Sequence, residues 1–94
     1  MIVIWTTEAE QDRADIWDYI AADNPDAAVL MDELFGSAVA RLAVHAEMGK
    51  TGRIPGTREL VPHRSYRLIY EIDRDTVWVL AEVHTARQWP PVRA

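Results

Sequence analysis

The sequence predicts an α+β fold of order β-α-α-β-β-β, with a helical hairpin packed on one face of a small twisted, mainly antiparallel sheet. Three observations predict it. Apolar residues recur every three or four positions on either side of Asp23-Asn24-Pro25. Two long apolar-rich runs, SYRLIYEID and TVWVLAEVH, are separated only by Arg74-Asp75. A glycine-rich tract divides the helical part from the strand part. At 94 residues the chain has enough material for one modest core, and residues 1–94 read as a single domain.

The opening IVIW, rich in β-branched and aromatic residues, reads as a buried strand. Thr7-Glu8-Ala9-Glu10 then has the form of a capping box, with the Thr7 hydroxyl accepting from the Glu10 amide. In the helix that follows, Ala9, Ile16, Trp17 and Ile20 share a side. Asp23 interrupts the pattern; Asn24 is a good N-cap and Pro25 a good first helical residue, because proline lacks only an N–H that would be unpaired there. In the second helix Ala27, Met31, Leu34, Ala38 and Leu42 step by three or four, with Leu30, Phe35 and Val39 widening the stripe, to about His45. Two such helices joined by a short turn form an antiparallel hairpin whose stripes need a cover. EMGKTGRIPG, from Glu47 to Gly56, is loop chemistry, TRELV a short strand, and the two long runs a β-hairpin around Arg74-Asp75.

That turn sets a register. It places Ile72 opposite Val77, Tyr70 opposite Val79, Leu68 opposite Ala81 and Tyr66 opposite Val83, an apolar face to cover the helices. The other face would carry Arg67 across from Glu82, Ile69 across from Leu80, Glu71 across from Trp78 and Ser65 across from His84. An ion pair between Arg67 and Glu82 is expected on it. So is an apolar strip of Ile69, Trp78 and Leu80, larger than a monomer usually leaves bare, on which a partner chain should lie.

Composition narrows the function classes. The chain is 49% hydrophobic and 27% charged, as in a globular domain, and has no apolar run near the eighteen or so residues of a membrane span. MIVIW leads into TTEAEQDRAD without a signal-peptide pattern, so a cytoplasmic location is expected. The lack of cysteine excludes disulfides and thiolate chemistry, and His45, His63 and His84 have no metal-ligand spacing, so no metal and no cofactor are expected. The net charge of −5 hides a division: residues 1–49 hold two basic and ten acidic groups, net −8, while residues 50–94 hold eight basic and five acidic groups, net +3. An acidic and a basic surface on one domain follow, the second able to attract an anionic partner.

The R-x-P-G-x-R-E-x-V segment at Arg53 to Val61, Y-R-L-x-Y at Tyr66 to Tyr70 and the ending H-x-x-R-Q-W-P from His84 lie in an order and spacing that resemble toxins of the RelE/ParE superfamily, the toxic partners in type II toxin-antitoxin modules. The resemblance covers nearly the whole chain. It implies a growth-arrest protein of a plasmid-stabilisation type module, held in a hetero-oligomer by a cognate antitoxin. RelE-like members are ribosome-dependent, metal-independent endonucleases that cut mRNA; ParE-like members inhibit DNA gyrase by binding it. Both targets are carried forward, with the ParE-like reading favoured.

RNA cleavage by the 2′-hydroxyl needs a base, an acid and cations for the phosphate. By resemblance, Arg67 stands where RelE-like toxins hold a phosphate-stabilising arginine, Arg58 where they carry a lysine, and Arg87 near a third, so these three are expected to converge. Histidine titrates near neutrality, which makes His84 the candidate for proton transfer. Trp89 replaces the catalytic aromatic of those nucleases and cannot transfer a proton; it is expected to pack, stacked with Arg87 and held by Pro90 and Pro91 as a clasp. The antitoxin is expected on Arg67, Ile69, Trp78 and Leu80, or on the exposed flank of the helical hairpin.

Overall fold

A computed structural model describes residues 1–87 and 89–90. The elements run β1 (Ile2–Trp5), α1 (Thr7–Ala21), α2 (Pro25–Leu42), β2 (Lys50–Thr51), β3 (Thr57–His63), β4 (Tyr66–Asp73) and β5 (Thr76–His84). They form one five-stranded sheet of order β1-β5-β4-β3-β2, with β1 parallel to β5 and the other neighbours antiparallel. The expected fold class is therefore the observed one, with the two-residue strand β2 added inside the tract read as loop.

The helices begin where local hydrogen bonding demands. Thr6, one residue before the expected cap, accepts the Ala9 N–H at 3.1 Å, while Glu8 and Glu10 complement the dipole of the first turn. Asn24 accepts the Ala27 N–H at 3.1 Å with Pro25 behind it, as the sequence implied. Arg13 locks α1 to α2, its Nε and Nη2 donating to the Asp32 carboxylate at 2.6 and 3.0 Å while its guanidinium lies 4.9 Å over the Trp5 ring.

The face of α2 is rotated from the one expected. Ala28, Phe35, Ala38 and Leu42 are buried, whereas Leu30 and Leu34 stand exposed, as does Trp17 of α1. The small side chains of Ala9, Ala28 and Ala38 are also fully buried. Ala9, Leu42, Ala46, Leu68, Tyr70, Val77 and Val79 make the core, with Val3, Trp5, Val39, Leu60 and Ile72 packed against it. Each large side chain fully buried here contributes on the order of 1.5–3 kcal/mol.

The segment between α2 and β2 is pinned from below by the sheet. At its centre the Tyr70 hydroxyl donates to the Ala46 carbonyl at 2.7 Å and accepts the Gly49 N–H at 3.0 Å. A Cβ on Gly49 would lie 2.6 Å from that hydroxyl oxygen and 2.9 Å from the Glu59 carbonyl, so glycine is required by the close approach. Arg58 adds two hydrogen bonds, from Nη1 to the carbonyls of Gly49 (2.8 Å) and Glu47 (3.2 Å).

The β4–β5 hairpin follows the expected register only half way. Asp73 pairs with Thr76 across Arg74-Asp75, with Arg74 at φ 58°, and Ile72 pairs with Val77, Glu71 with Trp78 and Tyr70 with Val79. Then Ile69 pairs with Ala81, Leu68 with Glu82, Arg67 with Val83 and Tyr66 with His84. Leu80 is thus an extra residue in β5, a bulge, and every residue after it faces the side opposite to that expected. The predicted Arg67–Glu82 pair does not exist. A second irregularity, between Leu60 and His63 of β3, accommodates Pro62, which cannot donate to a ladder.

Replacing Tyr70 with Phe leaves the buried Ala46 carbonyl and Gly49 N–H without their partner and is expected to lower unfolding stability by about 1–3 kcal/mol in urea titrations. Tyr19→Phe, at a side chain 79% exposed, serves as the neutral control.

Candidate functional site

The bulge sorts the charged groups at the exit of β5 into two clefts on opposite sides of the sheet. The side facing away from the helices carries a cationic cleft of about 620 Å3, lined by Lys50, Arg53, Glu59, Arg67 and Arg87 with the backbone near Gly52 and Ala86. Glu59 is its floor, only 7% exposed. Because Glu59 pairs with Ile69, it shares that face with Arg67 two residues away, and Arg67 Nη1 donates to Glu59 Oε1 at 3.1 Å. The other Glu59 oxygen accepts the Arg53 N–H at 3.2 Å. Arg67 Nη2 donates to the Arg87 carbonyl at 2.9 Å, and its Nε is buried without a partner. The Arg67 side chain is thereby a brace between β3 and the turn after β5.

The three arginines do not converge. Arg58 pairs with Tyr70 and lies on the helix side of the sheet, bonded to the connector. Its side chain and that of Arg67 are separated by the sheet itself. His84 pairs with Tyr66, also on the helix side, with the two rings edge to face at 5.5 Å and Nδ1 accepting the Ala86 N–H at 3.0 Å. Of these four residues, Arg87 borders both clefts. Of the apolar strip expected on the outer face, Ile69 is fully buried while Trp78 and Leu80 are half-buried, so a bare strip of three is not what the fold presents. Trp89 is half-buried and Pro90 exposed; Pro91 of the expected clasp lies outside the described residues.

The helix side carries a smaller cleft of about 490 Å3 between α1 and the end of β5, lined by Asp12, Asp15, Ile16, Tyr19, Tyr66, Glu82, Val83, His84, Ala86 and Arg87. Glu82 is 3% exposed and neither carboxyl oxygen has a hydrogen-bond partner, while its backbone N–H donates to Asp12 Oδ2 at 3.1 Å. Burial pushes Glu82 up to about 8; Arg13 pulls it down, and Asp32 and Asp12 push it further up. Burial also raises Asp12, against the lowering effect of its bond to the Glu82 N–H. Among the described residues no group of three or more His, Asp or Glu side chains is placed to hold a metal ion, and no helix is long and apolar enough to cross a membrane.

The family model for the ParE toxin of the type II toxin-antitoxin system parDE matches residues 3–89, nearly the whole described fold. The chain belongs to the ParE toxin family. It is 42% identical over 89 residues to the Y4kP protein of Sinorhizobium fredii, covering 94% of this chain and 92% of the relative. Its fold is similar to a solved chain of a chromosomal ParDE toxin-antitoxin system from P. aeruginosa, with a TM-score of 0.80 at 20% identity, covering 89% of this chain and 95% of that one. It is also similar to the isolated RelE toxin of E. coli, with a TM-score of 0.65 at 13% identity, covering 94% and 87%. At those identities the likeness to solved structures concerns the fold alone.

Sequence reasoning missed three residues of the candidate site: Glu59, which takes Arg67, and Asp12 and Lys50, one in each cleft. Alternation in TRELV already placed Glu59 opposite in sense to Arg58. Extending that register into β4 would have found the Arg67 partner. Asp12 lies seventy positions from Glu82 and leaves no local signal.

In this toxin the raised Glu82 group gives a stability profile of definite sign. The folded state holds a proton that the unfolded chain releases near the ordinary glutamate range, so its contribution is complete below about pH 4.5 and lost as pH rises to about 8. Stability from thermal melts is expected to fall over that window with a slope approaching about 1.4 kcal/mol per pH unit from this group. Glu82→Gln should remove the slope and leave a protein more stable than the parent at pH 8.

Proposed function

We propose that the chain is a non-enzymatic toxin that arrests growth by binding DNA gyrase and is neutralised by a cognate antitoxin. The observation that carries this reading is the engagement of Arg67. One terminal nitrogen is held by Glu59, the other by the Arg87 carbonyl, and the side chains of Arg58 and His84 lie across the sheet. A guanidinium already paired with a buried carboxylate is a weak clamp for a phosphate, and His84, the residue expected to transfer a proton, lies on the other side of the sheet. Membership of the ParE family supports the same conclusion, because its systems pair such a toxin with an antitoxin.

The alternative reading, a ribosome-dependent mRNA endonuclease acting through Arg58, Arg67, His84 and Arg87, draws its support from the cationic rim of Lys50, Arg53 and Arg87, which suits a phosphodiester backbone. The antitoxin in either reading lies against the half-buried Trp78 and Leu80 beside Arg67, or along the helical hairpin where Leu30 and Leu34 are exposed. Ile69, fully buried, contributes to the first of these surfaces only by supporting it.

Purified toxin is expected to block gyrase supercoiling of relaxed plasmid and to leave mRNA uncut in a translating extract analysed by primer extension. Normal supercoiling at saturating toxin overturns the proposal. Cuts that disappear in Arg67→Ala would establish the nuclease instead.

A further inference from the structure

Of the two clefts, the one on the helix side is electrostatically incomplete. Three carboxyl groups line it, from Asp12 and Asp15 of α1 and Glu82 of β5. The cations in reach are Arg13, whose Nε and Nη2 are already bound to Asp32 of α2, and Arg87 at the exposed rim. The remaining polar side chains lining the cleft are Tyr19 of α1, Tyr66 of β4 and His84 of β5, whose Nδ1 accepts the Ala86 N–H. Both Glu82 oxygens are buried and unpartnered. An unpaired buried acceptor of this kind costs about 1–3 kcal/mol, and proteins rarely keep one without a use or a partner.

The walls narrow the kind of partner. Ile16, Tyr19 and Tyr66 give the cleft apolar sides leading down to the carboxylates. Tyr19 stands 79% exposed at the entrance. Apolar walls above a charged floor match an amphipathic basic side chain, whose aliphatic stem buries while its head pairs with carboxylate. The absence of a metal-ligating trio among the described residues argues against a small hard cation as the occupant. The acidic excess of the first half of the chain, net −8 over residues 1–49, would steer a basic segment toward this flank.

We propose that this cleft receives the guanidinium or ammonium head of a basic side chain of the antitoxin, with Asp12 and Glu82 as its carboxylate floor and Ile16 and Tyr19 against its stem. The proposal rests on the reading that an antitoxin neutralises this toxin and adds the chemistry of one anchoring contact. Because Glu82 is held largely protonated near neutrality, entry of the cation displaces that proton to solvent, so binding is coupled to proton release.

The test has two arms. Isotopically labelled toxin is titrated with N-acetyl-arginine amide and with its uncharged citrulline counterpart and followed by NMR. The arginine compound is expected to move the Glu82 carboxyl carbon toward its ionised position and to shift the amides of Asp12, Ile16 and Tyr19, with no such change from citrulline. Equal responses to both compounds, or arginine-induced shifts centred on Glu59 instead, overturn the proposal. In the second arm, calorimetry measures the cognate antitoxin against wild type, Glu82→Gln and the surface variant Tyr19→Ala. Glu82→Gln is expected to bind roughly 30-fold more weakly or worse and to lose the proton release seen with wild type; Tyr19→Ala should weaken binding while keeping that release. Unchanged affinity in Glu82→Gln overturns the proposal and leaves the antitoxin reading standing, whereas a wild-type toxin that binds no antitoxin removes that reading and the proposal with it.

Discussion

One additional residue in β5 determines the character of this molecule's charged surfaces. Strand side chains alternate with period two, so the insertion of Leu80 between Val79 and Ala81 exchanges the faces of everything beyond it. Glu82 and His84 pass to the helix side, and Val83 takes the place opposite Arg67. Arg67 then has no acid across from it on β5 and turns to β3, where Glu59 lies on the same face. The identity of the arginine's partner, and therefore its freedom to act on a phosphate, follows from a backbone irregularity.

Beneath this, the sheet and the hairpin are held in fixed relation by contacts that serve no ligand. Tyr70 and Arg58 reach from adjacent strands to the same connector, taking up the carbonyls of Ala46, Glu47 and Gly49. That is why Arg58 is absent from the cationic cleft: strand pairing with Tyr70 commits it to the core side, where it satisfies backbone acceptors that would otherwise be left unpaired. On the opposite flank, Arg13 and Asp32 join the helices while Trp5 of β1 packs under the guanidinium. The clefts lie between these two anchored regions, at the exit of β5.

Much of this was legible in the sequence. Periodicity located both helices and the two long hairpin strands, because each is long enough for its pattern to repeat, and Asn24-Pro25 and Arg74-Asp75 carry turn chemistry that places their boundaries; the short strand read at TRELV runs on to His63. The N-cap was misplaced by one residue because Thr6 and Thr7 are equally good acceptors and only the chain's entry direction chooses between them. The buried face of α2 was misjudged because its apolar residues surround more than one side, and the stripe containing Leu30 and Leu34 is as continuous as the one that packs. Two-residue β2 is too short to have a pattern. The bulge left no mark because Leu80 and Ala81 are ordinary strand residues, and the uninterrupted register produced a plausible apolar pairing for Leu68 and Tyr66. A wrong register with good local complementarity cannot be rejected by local arguments; only the helix packing above it selects the right one.

The same shift explains how a domain of net charge −5 can maintain a cationic surface. Had β5 continued regularly, Glu82 would join Glu59 on the outer face, and the cleft of Lys50, Arg53, Arg67 and Arg87 would contain two carboxylates near its floor. Moving Glu82 to the helix side leaves one acid there and adds a third to the side already occupied by Asp12 and Asp15. The cleft facing away from the helices becomes more positive and the one beside α1 more negative by the same displacement. Since interactions between exposed charges decay over about 8–10 Å at ordinary ionic strength, an intervening sheet is enough to let the two sides present opposite fields to separate partners. The burial that isolates Glu82 also keeps it largely uncharged near neutrality, so part of the negative field on the helix side appears only when a cation arrives to stabilise it. A surface of that kind discriminates by charge at the moment of contact, which a permanently ionised and solvated glutamate would do far less sharply.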